Sequence, residues 1–385
     1  MRFADALAKP GLRAIAEVKR RSPSAGDLRP DADPAKLAAQ FASAGAAAVS
    51  VLVDERFAGT LDDLRAARAA TDAPLLGKGF FSTEEHLREL REAGADAVLL
   101  ILRDLDDAVC AHLLAYARGL GMDALVEAHD ADELQRAMQL DAPVIGINAR
   151  DLSTFEIDRG AQLQLVARAP HDRIVIAESG VHTRAQGAAA ELAGADAILV
   201  GSALMRAPDP QAKLRELLSR PLVKVCGLTR QEDVDVAVEA GADLLGFILA
   251  ERSPRRAAAV LDVPDTAMSV AVFVADTEQT QADLVQFYPD DGGNVRSREA
   301  MLLRDGRQVA RVLDQPWQEH DPVHWSLAAA TEGRVMLAGG LGPENVRDAI
   351  AAVRPWAVDA SSSLETEPGV KDHARVRAFV EAGHS

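Results

Sequence analysis

Short apolar runs, many of them β-branched, alternate along this chain with longer stretches in which Ala and Leu recur among Glu, Asp and Arg at helical spacing. Runs near 14–19, 47–53, 74–78, 96–102, 123–127, 143–148, 173–179 and 196–201 predict eight strands, each followed by a helix-like segment. Such alternation specifies βα units and a parallel sheet. The phrase Ala-Gly-Ala recurs at 44–46, 93–95, 193–195 and 240–242, each time after a helical pattern and before a strand. A glycine there suits a helix C-cap and a tight entry into the next strand. Eight βα units in roughly 210 residues predict a compact TIM barrel, with a doubly wound sheet as the competing architecture.

Pro208-Asp-Pro210, a helix-like Gln211–Ser219 and Pro221 read as a boundary, giving domains 1–219 and 220–385. The second series has strand patterns at Leu222–Cys226 and near 244–249, 268–274, 283–288, 308–313, 335–338 and 356–360, with 301–304 as a possible eighth. Asp305-Gly306 is a hairpin signal inside this series, and Asp290–Met301 is rich in Gly and charge. The fold class expected is α/β, two TIM (βα)8-type barrels in tandem, the second contracted or irregular.

The polar residues matter because of where the apolar runs stop. Ala14–Ser24 ends on Glu17, Lys19 and Ser22; the other runs close on Lys78, Glu127, Asn148, Glu178-Ser179 and Gly201-Ser202. In a parallel barrel those strand ends share one mouth, where paired Lys and Glu groups can tune each other into an acid and a base. A solvated surface pair is the bland reading of Glu17 and Lys19 alone; across five strands it loses ground. Gly180, Gly201 and Ser202 follow the last two strands of the first series, where barrels commonly bind phosphate, although any one glycine alone reads as a turn. Arg150 either adds charge for an anionic ligand or is a solvated loop arginine. In the second series Cys226 ends a strand before a glycine and an expected helix start at Thr229, a setting that would lower a thiol pKa; a buried structural cysteine is the even alternative.

Bulk properties narrow the class further. A formal net charge of −17 argues against nucleic acid or an anionic membrane as main partner. Two cysteines in 385 residues exclude a disulfide framework and suit a reducing, cytoplasmic setting. No apolar stretch approaches the roughly 20 residues needed to span a bilayer. The expectation is an enzyme acting on small molecules without cofactor or metal, with a monomer as a reasonable state.

The motifs IAEVKRRSPS, LLGKGFF, LVEAH, IGINARDL, IAESGV and LVGSALM make residues 3–219 resemble indole-3-glycerol-phosphate synthase. That resemblance implies closure of an anthranilate-bearing, phosphorylated ribulose chain into an indole, with loss of carbon dioxide and water. It casts Lys78 as the general acid on the substrate carbonyl, Glu127 as the carboxylate assisting dehydration, and Glu17 as its helper. Lys19 would hold the substrate carboxylate. Asn148, Glu178 and Ser179 would be polar wall residues, and Ser22, Gly180, Gly201 and Ser202 phosphate and loop contacts. Two departures are present. Only Met1–Pro10 precedes the first strand, where the family usually has a longer extension covering the barrel mouth, and Gly79 replaces an acidic residue after the lysine. Either the true start lies upstream or part of the lid is lost; weaker substrate capture with the core chemistry kept is the expectation.

KVCGLTR, AGADLLGFILAERSPRR, AGGLGPENV and VDASSSLETEPGVKD make the second half resemble phosphoribosylanthranilate isomerase, whose product is the synthase's substrate. The resemblance implies an Amadori rearrangement with Cys226 as general base, Arg255 on the anthranilate carboxylate, and Gly339, Gly340, Ser361 and Ser362 on phosphate. The middle departs: Gln286-Phe-Tyr-Pro289 stands for a Gln-Leu-His-Gly-type strand end, and one βα unit is missing by comparison. Asp314 is the best candidate for the general acid, an ordinary strand-end Asp being nearly as good a reading. The glycine-rich run expected after it is replaced by Gln315–His324. Two alternatives stay open. The second domain could be non-catalytic and structural, and the first could be a Schiff-base aldolase working through Lys78.

Overall fold

A computed structural model of the chain describes residues 3–151, 154–289, 298–314 and 322–385. The backbone separates into two compact units, residues 1–182 with 187–218, and residues 219–385 with 183–186. Each is organised around a closed eight-stranded barrel, which excludes the doubly wound alternative.

The first barrel consists of β1 (Arg13–Val18), β2 (Ala48–Leu52), β3 (Leu75–Lys78), β4 (Ala97–Ile101), β5 (Asp123–Ala128), β6 (Val144–Asn148), β7 (Ile174–Glu178) and β8 (Ala197–Val200). All neighbours are parallel, and β1 pairs with both β2 and β8 to close the ring. Between strands run helices whose starts are written in the sequence. Asp33, Thr60, Thr83, Asp106, Asp130 and Asp158 each accept a hydrogen bond at the helix N-cap from a backbone N–H three residues on. The helix ends obey the Ala-Gly-Ala phrase: Gly45, Gly94, Gly194 and Gly241 have φ of 98°, 102°, 117° and 91°. The following alanine N–H reaches back in each case, as Ala46 does to the Phe41 carbonyl and Ala242 to that of Ala237.

Two apolar layers flank these strands. One lies between strands and helices. The other fills the barrel itself, where Ile15, Leu76, Leu99, Leu125, Ile176 and Leu199 pack together. Phe3 and Leu7 of the short helix Phe3–Leu7 join that inner cluster, among residues that begin their strands such as Ala97, Val144 and Ala197. This helix therefore plugs the floor of the barrel, the end opposite to the mouth; nothing in the sequence pattern had pointed to that.

The second barrel consists of β9 (Leu222–Cys226), β10 (Leu244–Ile248), β11 (Met268–Val274), β12 (Leu284–Tyr288), β13 (Arg298–Arg304), β14 (Arg307–Asp314), β15 (Val335–Ala338) and β16 (Ala357–Ala360). The possible eighth strand is real, but it runs backwards. β13 pairs antiparallel with both β12 and β14, and every other pairing is parallel. The turn between β13 and β14 is Asp305-Gly306, with φ of 49° and 74°, as a primed hairpin turn requires. A hairpin thus takes the place of the missing βα unit and keeps the ring closed. Helices follow β9 (Gln231–Glu239), β15 (Val346–Val353) and β16 (His373–Gly383), and Pro322–Ala329 precedes β15. No helix stands between β10 and β12 among the described residues. Residues 290–297 and 315–321, which hold most of the Gly- and charge-rich stretch Asp290–Met301 and most of the segment Gln315–His324, lie outside the described residues.

Candidate active sites

Side chains alternate across a strand, so residues two apart share a face. In the first barrel Ile15, Leu76, Leu99, Leu125 and Ile176 lie inward. One step further along the same faces come Glu17, Lys78, Glu127, Asn148 and Glu178, at the carboxyl ends of β1, β3, β5, β6 and β7. The sequence-predicted residues therefore form one polar layer on an apolar floor. Lys78 Nζ lies 2.7 Å from Glu178 Oε2 and 3.4 Å from Glu17 Oε2, while Lys19 Nζ lies 2.8 Å from Glu17 Oε1. Two glycines make room for the carboxylates. A Cβ at Gly146 would stand 2.1 Å from Glu178 Oε1, and one at Gly201 would stand 2.4 Å from Glu17 Oε1.

The charges in this layer set one another. Burial opposes the Lys78 ammonium, but Glu178, Glu17 and Glu127 outweigh it and hold the lysine protonated. Burial likewise opposes ionisation of Glu17, and Lys19 and Lys78 overcome it, leaving its pKa below the ordinary value. Glu127 is also lowered against burial, by the His129 ring 3.3 Å away, the charge of Lys78 and a contact from Asn148. Glu178 goes the other way. Complete burial and the adjacent Glu127 carboxylate push it up to about 7 despite its pair with Lys78. The layer thus holds a firm cation, two firm anions and one carboxyl that exchanges its proton near neutrality.

The remaining predicted residues ring this layer. Buried Ser22 has its Oγ 3.1 Å from that of Ser24, whose hydroxyl also meets the Arg150 guanidinium at 3.1 Å. Arg150 donates as well to the Phe155 carbonyl, and its backbone N–H to Asn148 Oδ1, so it is a tied loop residue rather than a solvated one. Ser179 and Gly180 follow β7 with φ of 68° and 75°. Gly201 is the N-cap of the one-turn helix Ser202–Arg206 and supplies no side-chain acceptor to it. Gly79 is buried, and a Cβ there would meet the Phe81 ring at 2.8 Å, so the aromatic ring fills the space beside that position.

Sequence reasoning missed three supports. Gln162, from the helix Arg159–Val166, donates through Nε2 to the carbonyls of Ile147 (2.7 Å) and Glu178 (2.6 Å), tying the ends of β6 and β7 together. His129 and Glu133 flank Glu127, with His129 Nε2 3.3 Å from Glu127 Oε1 and His129 Nδ1 3.0 Å from Glu133 Oε2. The signal was there for the histidine, which closes the motif LVEAH two residues after the glutamate.

In the second barrel the inward face of β9 carries Lys224 and Cys226. Lys224, fully buried, donates to Asp359 Oδ2 at 2.9 Å and to Gln286 Oε1 at 2.8 Å. Gln286 Nε2 donates to the Tyr288 hydroxyl at 2.7 Å, and that hydroxyl donates to Asp314 Oδ2 at 2.9 Å. Asp314 therefore ends a polar chain that starts beside Cys226. Gly246 leaves space for the thiol, since a Cβ there would lie 2.7 Å from Cys226 Sγ.

Two sequence expectations are corrected here. The helix after β9 starts at Gln231, not Thr229, and burial raises the Cys226 thiol pKa; Lys224 and Lys371 only partly offset it. A helix start five residues further along the chain cannot supply the field that a cysteine within its first turn would feel. Arg255 forms an ion pair with Glu365 at 2.8 Å, and Lys371 meets the same carboxylate at 2.9 Å. The Ser361 hydroxyl is buried with no hydrogen-bond partner among the described residues, while Ser362 is exposed and starts the turn Ser362–Leu364. Gly339 and Gly340 follow β15 with φ of 82° and 68°, a conformation that favours glycine.

The family described as indole-3-glycerol phosphate synthase matches residues 1–217, and that described as N-(5'phosphoribosyl)anthranilate (PRA) isomerase matches residues 320–382. An indole-3-glycerol phosphate synthase of Albidiferax ferrireducens is 50% identical over 206 residues, covering 53% of this chain and 78% of that protein. A multifunctional tryptophan biosynthesis protein of Schizosaccharomyces pombe is 32% identical over 458 residues; the match covers 97% of this chain but 59% of that longer protein. Among solved structures, TrpF from Jonesia denitrificans is 30% identical with a TM-score of 0.35, covering 43% of this chain and 97% of its own. With the synthase motifs seated in one polar layer and the isomerase motifs in a second barrel, the chain belongs to the indole-3-glycerol phosphate synthase family and carries a phosphoribosylanthranilate isomerase domain behind it.

Proposed function

We propose that residues 1–219 form a working indole-3-glycerol-phosphate synthase and residues 220–385 a working phosphoribosylanthranilate isomerase that feeds it. The observation that carries the synthase reading is the convergence of Lys78, Glu17, Glu127 and Glu178 on one inward layer above an apolar floor. In the first step the anthranilate ring carbon that bears the carboxylate attacks the ketone carbon of the ribulose chain. The Lys78 ammonium gives its proton to the carbonyl oxygen, and carbon dioxide departs to restore the aromatic ring. Glu127 then takes the ring-carbon proton beside the nitrogen and passes it to the hydroxyl, which leaves as water, while Lys78 regains its proton from solvent and Glu17 holds Lys78 and Lys19 in place. Roles of this kind are each worth about 10²–10⁴ in rate. A Schiff-base aldolase would need a neutral, nucleophilic Lys78, and the three surrounding carboxylates oppose that form. Ser22, Gly180, Gly201 and Ser202 are assigned to the phosphate, and Arg150 to the rim beside it.

In the isomerase, Cys226 removes the C2′ proton and Asp314 protonates the ribose ring oxygen as it opens. Lys224 steadies the thiolate, and Arg255 meets the anthranilate carboxylate. Supplying phosphoribosylanthranilate, and separately the isomerised intermediate, tests both halves. Indole-glycerol phosphate from both substrates supports two working sites; product from the intermediate alone leaves a synthase with a silent second barrel.

A further inference from the structure

We propose that His129 is a positioning residue of the synthase site, a ring locked by Glu133 that sets its charge beside the Glu127 carboxylate; this rests on the synthase reading above. The argument starts from local chain geometry. His129 follows β5, two residues after Glu127, and its side chain is only 3% exposed. Glu133 sits in the first turn of the helix Ala131–Gln139, where Asp130 caps its backbone N–H at 2.8 Å. The Glu133 carboxylate reaches back and accepts from the His129 backbone N–H at 2.8 Å, with the ring Nδ1 at 3.0 Å from the same oxygen. Backbone and ring of His129 are thus both locked by one carboxylate, and the other ring nitrogen stands 3.3 Å from Glu127 Oε1.

A neutral imidazole has one N–H and one lone pair. Set between two carboxylates, it would aim that lone pair at an anion. His129 Nε2 makes no hydrogen bond within the described residues and stands 3.3 Å from Glu127 Oε1 as an ion-pair contact, so only the imidazolium sets positive charge beside both carboxylates. Burial opposes the charged ring, but Glu127 and Glu133 outweigh it and raise the His129 pKa to about 9. The other groups facing this cluster are Arg103, whose Nε is 3.4 Å from Glu133 Oε1; Asn148, on Glu127; and Lys78 and Glu178, which act on Glu127 from across the layer. Among the described residues, the His129 ring nitrogens meet only the Glu133 and Glu127 carboxylates. The consequence is a fixed acceptor. Glu127 is kept ionised and oriented before dehydration, at the cost of some basicity, and the histidine does it without touching the reacting atoms.

The test measures synthase kcat and KM from pH 5.5 to 10 on the full chain and on His129→Gln, Glu133→Gln and the double variant. Loss of the imidazolium lets burial raise the Glu127 pKa, so the acidic limb of kcat moves to higher pH in His129→Gln. The wild-type chain loses rate as His129 deprotonates near pH 9, and that limb disappears in the variant. We expect kcat to fall about 10- to 100-fold with KM little changed. Glu133→Gln should shift the same limbs by less, and the double variant should be no worse than His129→Gln, since both residues act in series. Unmoved limbs in an active His129→Gln enzyme, or a change confined to KM, would overturn the proposal. If His129→Gln fails to fold, unmoved limbs in Glu133→Gln overturn it equally. A wild-type chain without synthase turnover would instead sink the functional reading, and the proposal with it.

Discussion

Gly146 supports the synthase layer through the atoms it lacks. Its position on β6 directly beneath Asn148 leaves a gap that the Glu178 carboxylate fills, and the substitution Gly146→Ala puts a methyl group 2.1 Å from Glu178 Oε1 and 3.0 Å from Leu125 Cδ1. Carbon and oxygen are comfortable at roughly 3.4 Å or more, so one of the two must move by about 1 Å. Glu178 is fully buried and has no solvent to swing into. Overpacking of this kind costs about 1–3 kcal/mol, and the smaller unfolded-state gain of about 0.4–1 kcal/mol from replacing glycine does not offset it. For a barrel of this size the net effect is a fall of a few degrees in the midpoint, about 2–4 °C per kcal/mol. Activity should suffer more than stability, because the displaced carboxylate no longer meets Lys78 at 2.7 Å. Thermal inactivation of synthase turnover, together with kcat at 25 °C, reads both effects. Adding Glu178→Asp shortens the side chain by one methylene and should restore the midpoint without restoring kcat. A Gly146→Ala enzyme with wild-type midpoint and wild-type kcat would refute the reasoning, since Glu178 would then not be pinned against the bare face of Gly146.

Other outcomes follow from the same geometry. Lys78→Gln should abolish synthase turnover while leaving isomerisation of phosphoribosylanthranilate intact, measured by accumulation of the intermediate. Lys224→Met leaves Asp359 buried without its cation and should destabilise the second barrel by about 3–5 kcal/mol, seen as loss of isomerase activity at temperatures where synthase turnover persists. Tyr288→Phe removes the hydroxyl that donates to Asp314 and leaves the Gln286 amide unsatisfied; isomerase kcat should fall with a changed pH profile, whereas an unchanged profile would separate Tyr288 from the acid. Glu178 has a folded pKa raised to about 7, so its contribution to stability is full below its ordinary value of 4.5 and is lost as pH rises through 7. Replacing it by Gln should therefore change the midpoint of the first barrel in the favourable direction as pH is raised from 5 to 8, relative to wild type.

The strands were legible because buried parallel strands are written as continuous apolar runs, and every predicted run became a barrel strand. The polar layer was legible too, since Glu17, Lys78, Glu127 and Glu178 each end such a run. What the pattern could not say was partner and direction. Asp305-Gly306 signalled a hairpin, yet a turn residue does not reveal that its first strand will join β12 antiparallel and complete a ring. Lys224 was hidden for another reason: a lysine inside an apolar run reads as an edge or an error until Asp359 and Gln286 arrive from distant strands to meet it. The thiol of Cys226 was misjudged because a helix start was placed two residues early, and a field that decays within one turn does not tolerate that displacement. Phe3 and Leu7 carried no periodic signal in so short a segment, and only tertiary packing reveals their place in the floor.

The reversed strand β13 also bears on solubility. A seven-stranded remnant would leave β12 and β14 each with a row of unpaired N–H and C=O groups along one side, an open template for strands of other molecules. β13 covers both rows at once, pairing Val285 with Leu303 on one flank and Ala300 with Val312 on the other. Loss of a βα unit is survivable for such a barrel when a hairpin seals the gap. A chain in which β13 is prevented from pairing, for instance by a proline at Leu302, should fail first as an aggregating species, before any defect in its chemistry is visible.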